Sequence, residues 1–147
     1  MKFPHKLIAT LFYVGKIPFA PGTISSALAF LFYLAVRGQP FTMAAAILLS
    51  TTMGFISSGR AEALFKKKDP RCIVIDEFAG MLIALFLVPQ GLVYGVAGFF
   101  LFRFFDVTKI QPIKKMENLA GSRGIMLGDI AAGLYTNLTL QIMHKIL

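Results

Sequence analysis

The sequence predicts an all-α fold: a compact, helical integral membrane bundle of short apolar helices, with one helical hairpin turning at Pro89-Gln90-Gly91. Three observations predict it. Hydrophobic residues make up 56% of the 147 and charged ones only 15%, with fifteen Phe, which is too apolar for an ordinary water-soluble domain. The apolar residues come as four segments separated by basic connectors. None of those segments alternates with the period of two that marks a half-buried strand, and lipid leaves only helices and closed barrels as ways to satisfy a backbone. The length corresponds to a single domain, 1–147.

The N-terminus mimics a signal peptide, with Lys2 and Lys6 before the apolar run Leu7–Val14. It has no convincing small-x-small cleavage pattern and Lys16 follows at once, so the expectation is an interfacial or short buried helix kept in the mature protein. A turn-rich stretch, Pro18–Thr23, leads into the first segment, Ile24–Val36. The second is Phe41–Ile56, the third Phe78–Phe102 with its break at Pro89-Gln90-Gly91, and the fourth Ile130–Met143. A straight span takes ~20 residues across a ~30 Å core. The first, second and fourth segments are therefore short, and tilt or a thinned bilayer would accommodate them.

The third segment decides the topology. Its flanks, Ser57–Ile75 and Arg103–Arg123, are both basic, and positive connectors belong on the cytoplasmic side. A hairpin puts both there, because Pro cannot continue a helix and Gly permits the turn. Helices are expected at about Ile73–Val88 and Leu92–Phe105, with the N-terminus also inside and the Arg37–Pro40 loop and the chain end outside. Small residues (Gly54, Ser57, Ser58, Gly80, Ala84, Gly95, Gly98 and the run Ala131–Gly133) would let these helices approach closely.

The net charge is +8. On so apolar a background it points to anionic lipid headgroups, and not to nucleic acid. Lys66-Lys67-Lys68 reads as a headgroup-facing run. The single Cys72 excludes an intrachain disulfide, and His5 and His144 lie at opposite ends, so a His/Cys zinc site is not expected. A metal here would be a hard ion held by oxygens.

Five of the seven acids, Asp69, Asp76, Glu77, Asp106 and Asp129, stand at or near the ends of apolar segments, and the hairpin brings all five to one face. That convergence suggests a magnesium-type site. Asp76 and Glu77 fall inside a helical or apolar run, where ionised groups must find a partner, a cation or water. Asp69 before Pro70 also reads as a helix cap, and Asp129 after Gly128 could cap the last helix. Arg103 and Lys109 flank Asp106 at helical spacing, which suits either an ion-pair ladder or a phosphate clamp. The turn before the first helix offers backbone N–H groups and the hydroxyls of Thr23 and Ser26 as an anion site. Cysteine-phosphatase, D-x-D aspartyl-phosphate and phosphohistidine chemistries lack their residues: Phe78 stands where the first needs Arg and the second needs Asp, and no His lies between His5 and His144.

Four ordered motifs, A-P-G-T (Ala20–Thr23), D-P-x4-D-E-x2-G-M (Asp69–Met81), F-R-F-F-D-x2-K-x2-P-I (Phe102–Ile113) and G-I-M-x2-D-x3-G (Gly124–Gly133), closely resemble the phosphatidylglycerophosphatase A family over roughly residues 14–135. The resemblance implies a magnesium-dependent lipid phosphatase of the bacterial inner membrane, active on its cytoplasmic face, that converts phosphatidylglycerophosphate to phosphatidylglycerol. It maps the family's acids onto Asp69, Asp76, Glu77, Asp106 and Asp129, and its basic residues onto Arg103 and Lys109. Gly128 departs from the family's usual pair of acids in the last motif, as do Lys109-Ile110 from Lys-Pro and Gly121-Ser122 from Gly-Gly. With Gly128 there, a catalytically impaired relative that binds membrane lipid or a partner protein is the alternative.

Overall fold

A computed structural model of the chain describes residues 7–11, 14, 21–36, 38–65, 73–88, 91–108, 113–117 and 122–146. Besides a short helical stretch at 7–9, they form six helices, α1 (Pro21–Ala35), α2 (Pro40–Phe65), α3 (Ile75–Leu85), α4 (Leu92–Thr108), α5 (Ile113–Glu117) and α6 (Ser122–Ile146), and no strand is found among them. The fold is all-α, as expected.

Helix boundaries differ from the apolar segments at several ends. Helix α1 starts at Pro21, because Pro suits the first helical position, where an N–H has no partner anyway. Helix α2 runs nine residues past the expected Ile56. Its Ser57 and Ser58 hydroxyls donate to the Met53 and Gly54 carbonyls one turn back, so the two serines stay helical and buried past the end of the apolar segment. Helix α6 begins eight residues before the expected Ile130, and Asp129 is therefore inside it and caps nothing. Helix α3 is shorter than expected. Before it, the Val74 N–H donates to the Ala9 carbonyl at 2.9 Å and the Val74 carbonyl accepts from Ser25 Oγ at 2.8 Å. After it, Leu87 takes a positive φ of 57°, and the Asn137 amide of α6 donates to the carbonyls of Ile83, Ala84 and Phe86. The Ile83 carbonyl also accepts from the Phe86 N–H at 3.2 Å; carbonyls at a helix end run short of intrahelical partners, and here a side chain from a neighbour supplies a donor. Ala9, fully buried with Ile73 and Ile125, fits the short buried helix expected near the N-terminus.

Helix α3 is the axis of the bundle. Met81, Leu82 and Ala84 are wholly buried, and α1, α2, α4 and α6 all pack on this helix. Its pairing with α4 is antiparallel: Gly80 meets the Phe102 ring, and Leu85 meets Gly98. The expected hairpin is present, although Pro89 and Gln90 lie outside the described residues. Its pairing with α6 is parallel, from Gly80 against Asp129 and Gly133 to the Gln141 amide donating to the Leu87 carbonyl at 2.9 Å.

The bundle thus has two ends. One gathers the starts of α1, α3 and α6 with the ends of α2 and α4: Gly22 lies on Glu77, and Gly54 lies on Met126 and Ile75. The other gathers the α1–α2 corner, the hairpin turn and the end of α6. There a cavity of about 280 Å³ is shared by Val36, Met43 and Val88, and Tyr94 Oη lies 3.0 Å from His144 Nδ1. Between the ends, large apolar side chains face outward at three- and four-residue spacing: Leu48, Leu49, Met53 and Ile56 on α2, Val93, Val96, Phe100, Phe104 and Val107 on α4, and Leu134, Leu138, Ile142 and Ile146 on α6. Among the described residues one stretch, Pro40–Gly59, is both long and apolar enough to cross a membrane.

Candidate active site

Three carboxylates meet at the first of these ends because of where two glycines fall. Asp76 stands one turn before Gly80 on α3, and Asp129 one turn before Gly133 on α6. A Cβ on Gly133 would overlap the Gly80 carbonyl, and one on Gly80 would sit 2.6 Å from the Asp129 carbonyl. The helices therefore cross backbone to backbone, which only small residues allow. Because α3 and α6 run parallel, residues one turn (~5.4 Å) before the crossing face each other. Helix α4 comes from the opposite direction: Phe102 covers Gly80, and one turn further on stands Asp106. The three Asp are 6%, 8% and 3% exposed at positions 76, 106 and 129.

Burial pushes the Asp129 carboxyl well above its ordinary range, and the charges of Asp76 and then Asp106 push it further. Bringing carboxylates together in a poorly solvated place disfavours their ionised forms. Asp129 Oδ2 is buried, and no hydrogen-bond partner faces it among the described residues. An all-oxygen donor set with an orphaned buried carboxylate oxygen fits a hard divalent cation. The side chains are neighbours and not a closed shell: among the described residues no three acidic, His or Cys groups stand at metal-ligand spacing.

Glu77 turns elsewhere. It shares the first turn of α3 with Asp76, where the helix dipole favours negative charge, but its carboxylate packs on Gly22 in the first turn of α1. Arg103 Nη1 lies 3.7 Å from Glu77 Oε1 and 2.8 Å from Asp106 Oδ2. The i,i+3 ion pair of Arg103 and Asp106, one of the two expected readings, thus forms, and the guanidinium bridges Asp106 and Glu77.

The hydroxyl pair is divided. Thr23 is exposed, whereas Ser26 is buried and donates to the Gly22 carbonyl at 3.0 Å. Asp69 and Lys109 lie outside the described residues, as do Lys66-Lys67-Lys68. Residues missed by sequence reasoning are Gly22, Ser25 and Asn137. Spacing could have revealed the two Asp-x3-Gly pairs as a matched set. Ser25 and Asn137 act across 49 to 54 residues of chain, and nothing local signals that.

Buried acids from three helices with an Arg at their edge define a helical protein built to handle a charged group at one end of its bundle. The chain belongs to the phosphatidylglycerophosphatase A family, whose sequence profile it matches over residues 7–144, and it is a phosphatase. It is 33% identical over 137 residues to "Phosphatidylglycerophosphatase A" of Escherichia coli, covering 91% of this chain and 80% of the relative. To the Haemophilus influenzae protein of the same name it is 32% identical, covering 90% and 83%. A Bacteroides thetaiotaomicron protein named "Putative phosphatidylinositol-3-phosphatase" is 35% identical over 150 residues, covering 96% and 94%. No solved structure matches.

Proposed function

We propose that the protein is a magnesium-dependent phosphatidylglycerophosphatase, hydrolysing the terminal phosphomonoester of phosphatidylglycerophosphate at the inner face of the bacterial cytoplasmic membrane. The observation that carries the reading is the meeting of Asp76, Asp106 and Asp129 at one end of the bundle with Arg103 beside them. Magnesium would be held by these three carboxylates and would neutralise charge developing on the phosphate. Arg103, already turned to this cluster by Asp106 and Glu77, presents its fork to the phosphate oxygens and stabilises the transition state. Glu77 positions that guanidinium and ties α1 to the site. Asp76 orients a water and accepts its proton as the water oxygen bonds to phosphorus. The bond to the lipid oxygen then breaks, and the departing alkoxide takes a proton to become phosphatidylglycerol's alcohol. Lys109, Thr23 and Asp69 complete the proposal as outer contacts to phosphate and cluster.

The outward apolar belt supports membrane embedding, since contiguous exposed apolar surface of this extent marks contact with lipid or protein. The embedded stretch of α6 is Ile130–Met143, one residue past Asp129. Exposed Lys114, Lys115 and Arg123 at the acid end support a cytoplasmic-leaflet position for it, since positive connectors favour that side.

Purified Asp76→Asn should lose about 10²- to 10⁴-fold in phosphate release from phosphatidylglycerophosphate vesicles, by the usual scale for removing a positioned base. Full magnesium-dependent turnover in this variant would refute the assignment. The name of the Bacteroides relative makes phosphatidylinositol 3-phosphate the comparison lipid: faster turnover of it would reassign the headgroup while leaving the chemistry intact.

A further inference from the structure

We propose that the groove between α2, α3 and α6 seats one acyl chain of the lipid substrate, so that the enzyme holds its substrate by chain as well as by phosphate; this rests on the lipid-phosphatase reading above. The groove has a volume of about 330 Å³ and is walled almost entirely by apolar atoms, at the low end of the ~300–1,000 Å³ of small-molecule sites. A single flexible chain fits it, whereas a partner's helix, ~10–12 Å across, does not.

Its placement names the occupant. The groove opens toward the acid end: Ile130, in its wall, is the residue after Asp129 in α6, and Ile83 packs on Gly133, one turn after Asp129, at the crossing that aligns the cluster. It then follows α2 from Thr51 to Ala44, about 10 Å at ~1.5 Å per residue, and ends against Phe86 near the opposite end of the bundle. A polar head at the acids and a chain running down the bundle flank is the shape of a lipid standing in one leaflet.

Thr51 gives a second, independent sign. Thr108, Thr136 and Thr139 each donate to a carbonyl one turn back. Thr51 Oγ1 is buried with no hydrogen-bond partner among the described residues, whereas Ser50 beside it donates to the Ala46 carbonyl at 2.7 Å and more distantly to that of Ile47 at 3.3 Å. A donor stranded in an apolar wall requires an explanation. An acyl ester brings the missing acceptor to the phosphate end of the groove.

The test uses the full-length enzyme in mixed micelles with phosphatidylglycerophosphate of eight-, twelve- and sixteen-carbon chains, and with the chain-free deacylated headgroup. Ala44 is exposed at the far end of the groove, so Ala44→Leu and Ala44→Trp shorten the groove without entering the core. The expected result is a KM for the sixteen-carbon lipid raised about threefold by Leu and tenfold or more by Trp. The chain-free headgroup should be unaffected, with an unchanged helical melt, and the eight-carbon lipid, whose chain only just spans the groove, should be affected less than the sixteen-carbon one. An Ala44→Trp enzyme with the wild-type chain-length profile overturns the groove and leaves the phosphatase reading standing. Equal losses on the chain-free headgroup also overturn it, because the defect is then not in chain binding. A wild-type enzyme that releases no phosphate from any of these lipids overturns the phosphatase reading and the groove with it.

Discussion

Substituting Gly80 by Ala tests the geometry on which the site depends. The added Cβ would lie 2.6 Å from the Asp129 carbonyl and 2.8 Å from the Phe102 ring, where ordinary contact begins near 3.4 Å. The ring can turn, but the carbonyl belongs to the backbone of α6, so α3 and α6 must part by about 0.8 Å. Two terms then oppose each other in stability. Ala favours a helix over Gly by ~0.8–1 kcal/mol, and overpacking costs ~1–3 kcal/mol. The net loss is about 0–2 kcal/mol, so the protein still folds. Catalysis has no compensating term: the displacement separates Asp76 from Asp129, and a misplacement of ~1 Å costs on the order of 10²-fold in rate. The assay is kcat for phosphate release beside a thermal melt, with Gly95→Ala as the control. A Cβ at Gly95 would crowd only the Phe30 and Tyr33 rings, on the hairpin side away from the acids, and turnover there should stay within about twofold, since movable rings repack. Wild-type kcat in Gly80→Ala, or an equal loss in Gly95→Ala, would refute the claim that the glycine crossing sets the carboxylate geometry.

Three further predictions concern the cluster and its supports. Native Asp129 keeps its proton at pH values where the unfolded chain, with a carboxyl near 3.8, has lost it; unfolding therefore releases a proton, and the metal-free protein should lose stability as pH rises from about 4 toward the raised native pKa. Melts between pH 4 and 8 check this: Asp129→Asn should flatten the slope, as should magnesium if it takes the proton's place, and an unchanged slope in Asp129→Asn would contradict the assignment. Arg103→Lys keeps the charge but loses the planar fork, so kcat/KM should fall by roughly 10- to 100-fold, the scale of one charge-assisted contact; wild-type kinetics would remove Arg103 from phosphate binding. Asn137→Leu strips the carbonyls of Ile83, Ala84 and Phe86 of their shared donor and should cost about 1–3 kcal/mol in chemical denaturation while leaving the KM for the deacylated headgroup unchanged.

Composition and spacing alone determined the helical class, the hairpin and the acid-rich end, because each depends on local rules: apolar runs in place of strand alternation, a Pro-Gln-Gly break, and acids at segment ends. They also offered the pairing of Arg103 with Asp106 as one of two readings, since a helix brings i and i+3 side chains within reach. The ends of α3 were misread because distant partners took over its backbone groups, as Asn137 does after it and Ala9 and Ser25 do before it. Only the tertiary structure parted the adjacent Asp76 and Glu77, sending one to the carboxylate cluster and the other to Gly22 and Arg103. Neighbours in a helix point about 100° apart, and which side faces a charged partner depends on the helices packed around it.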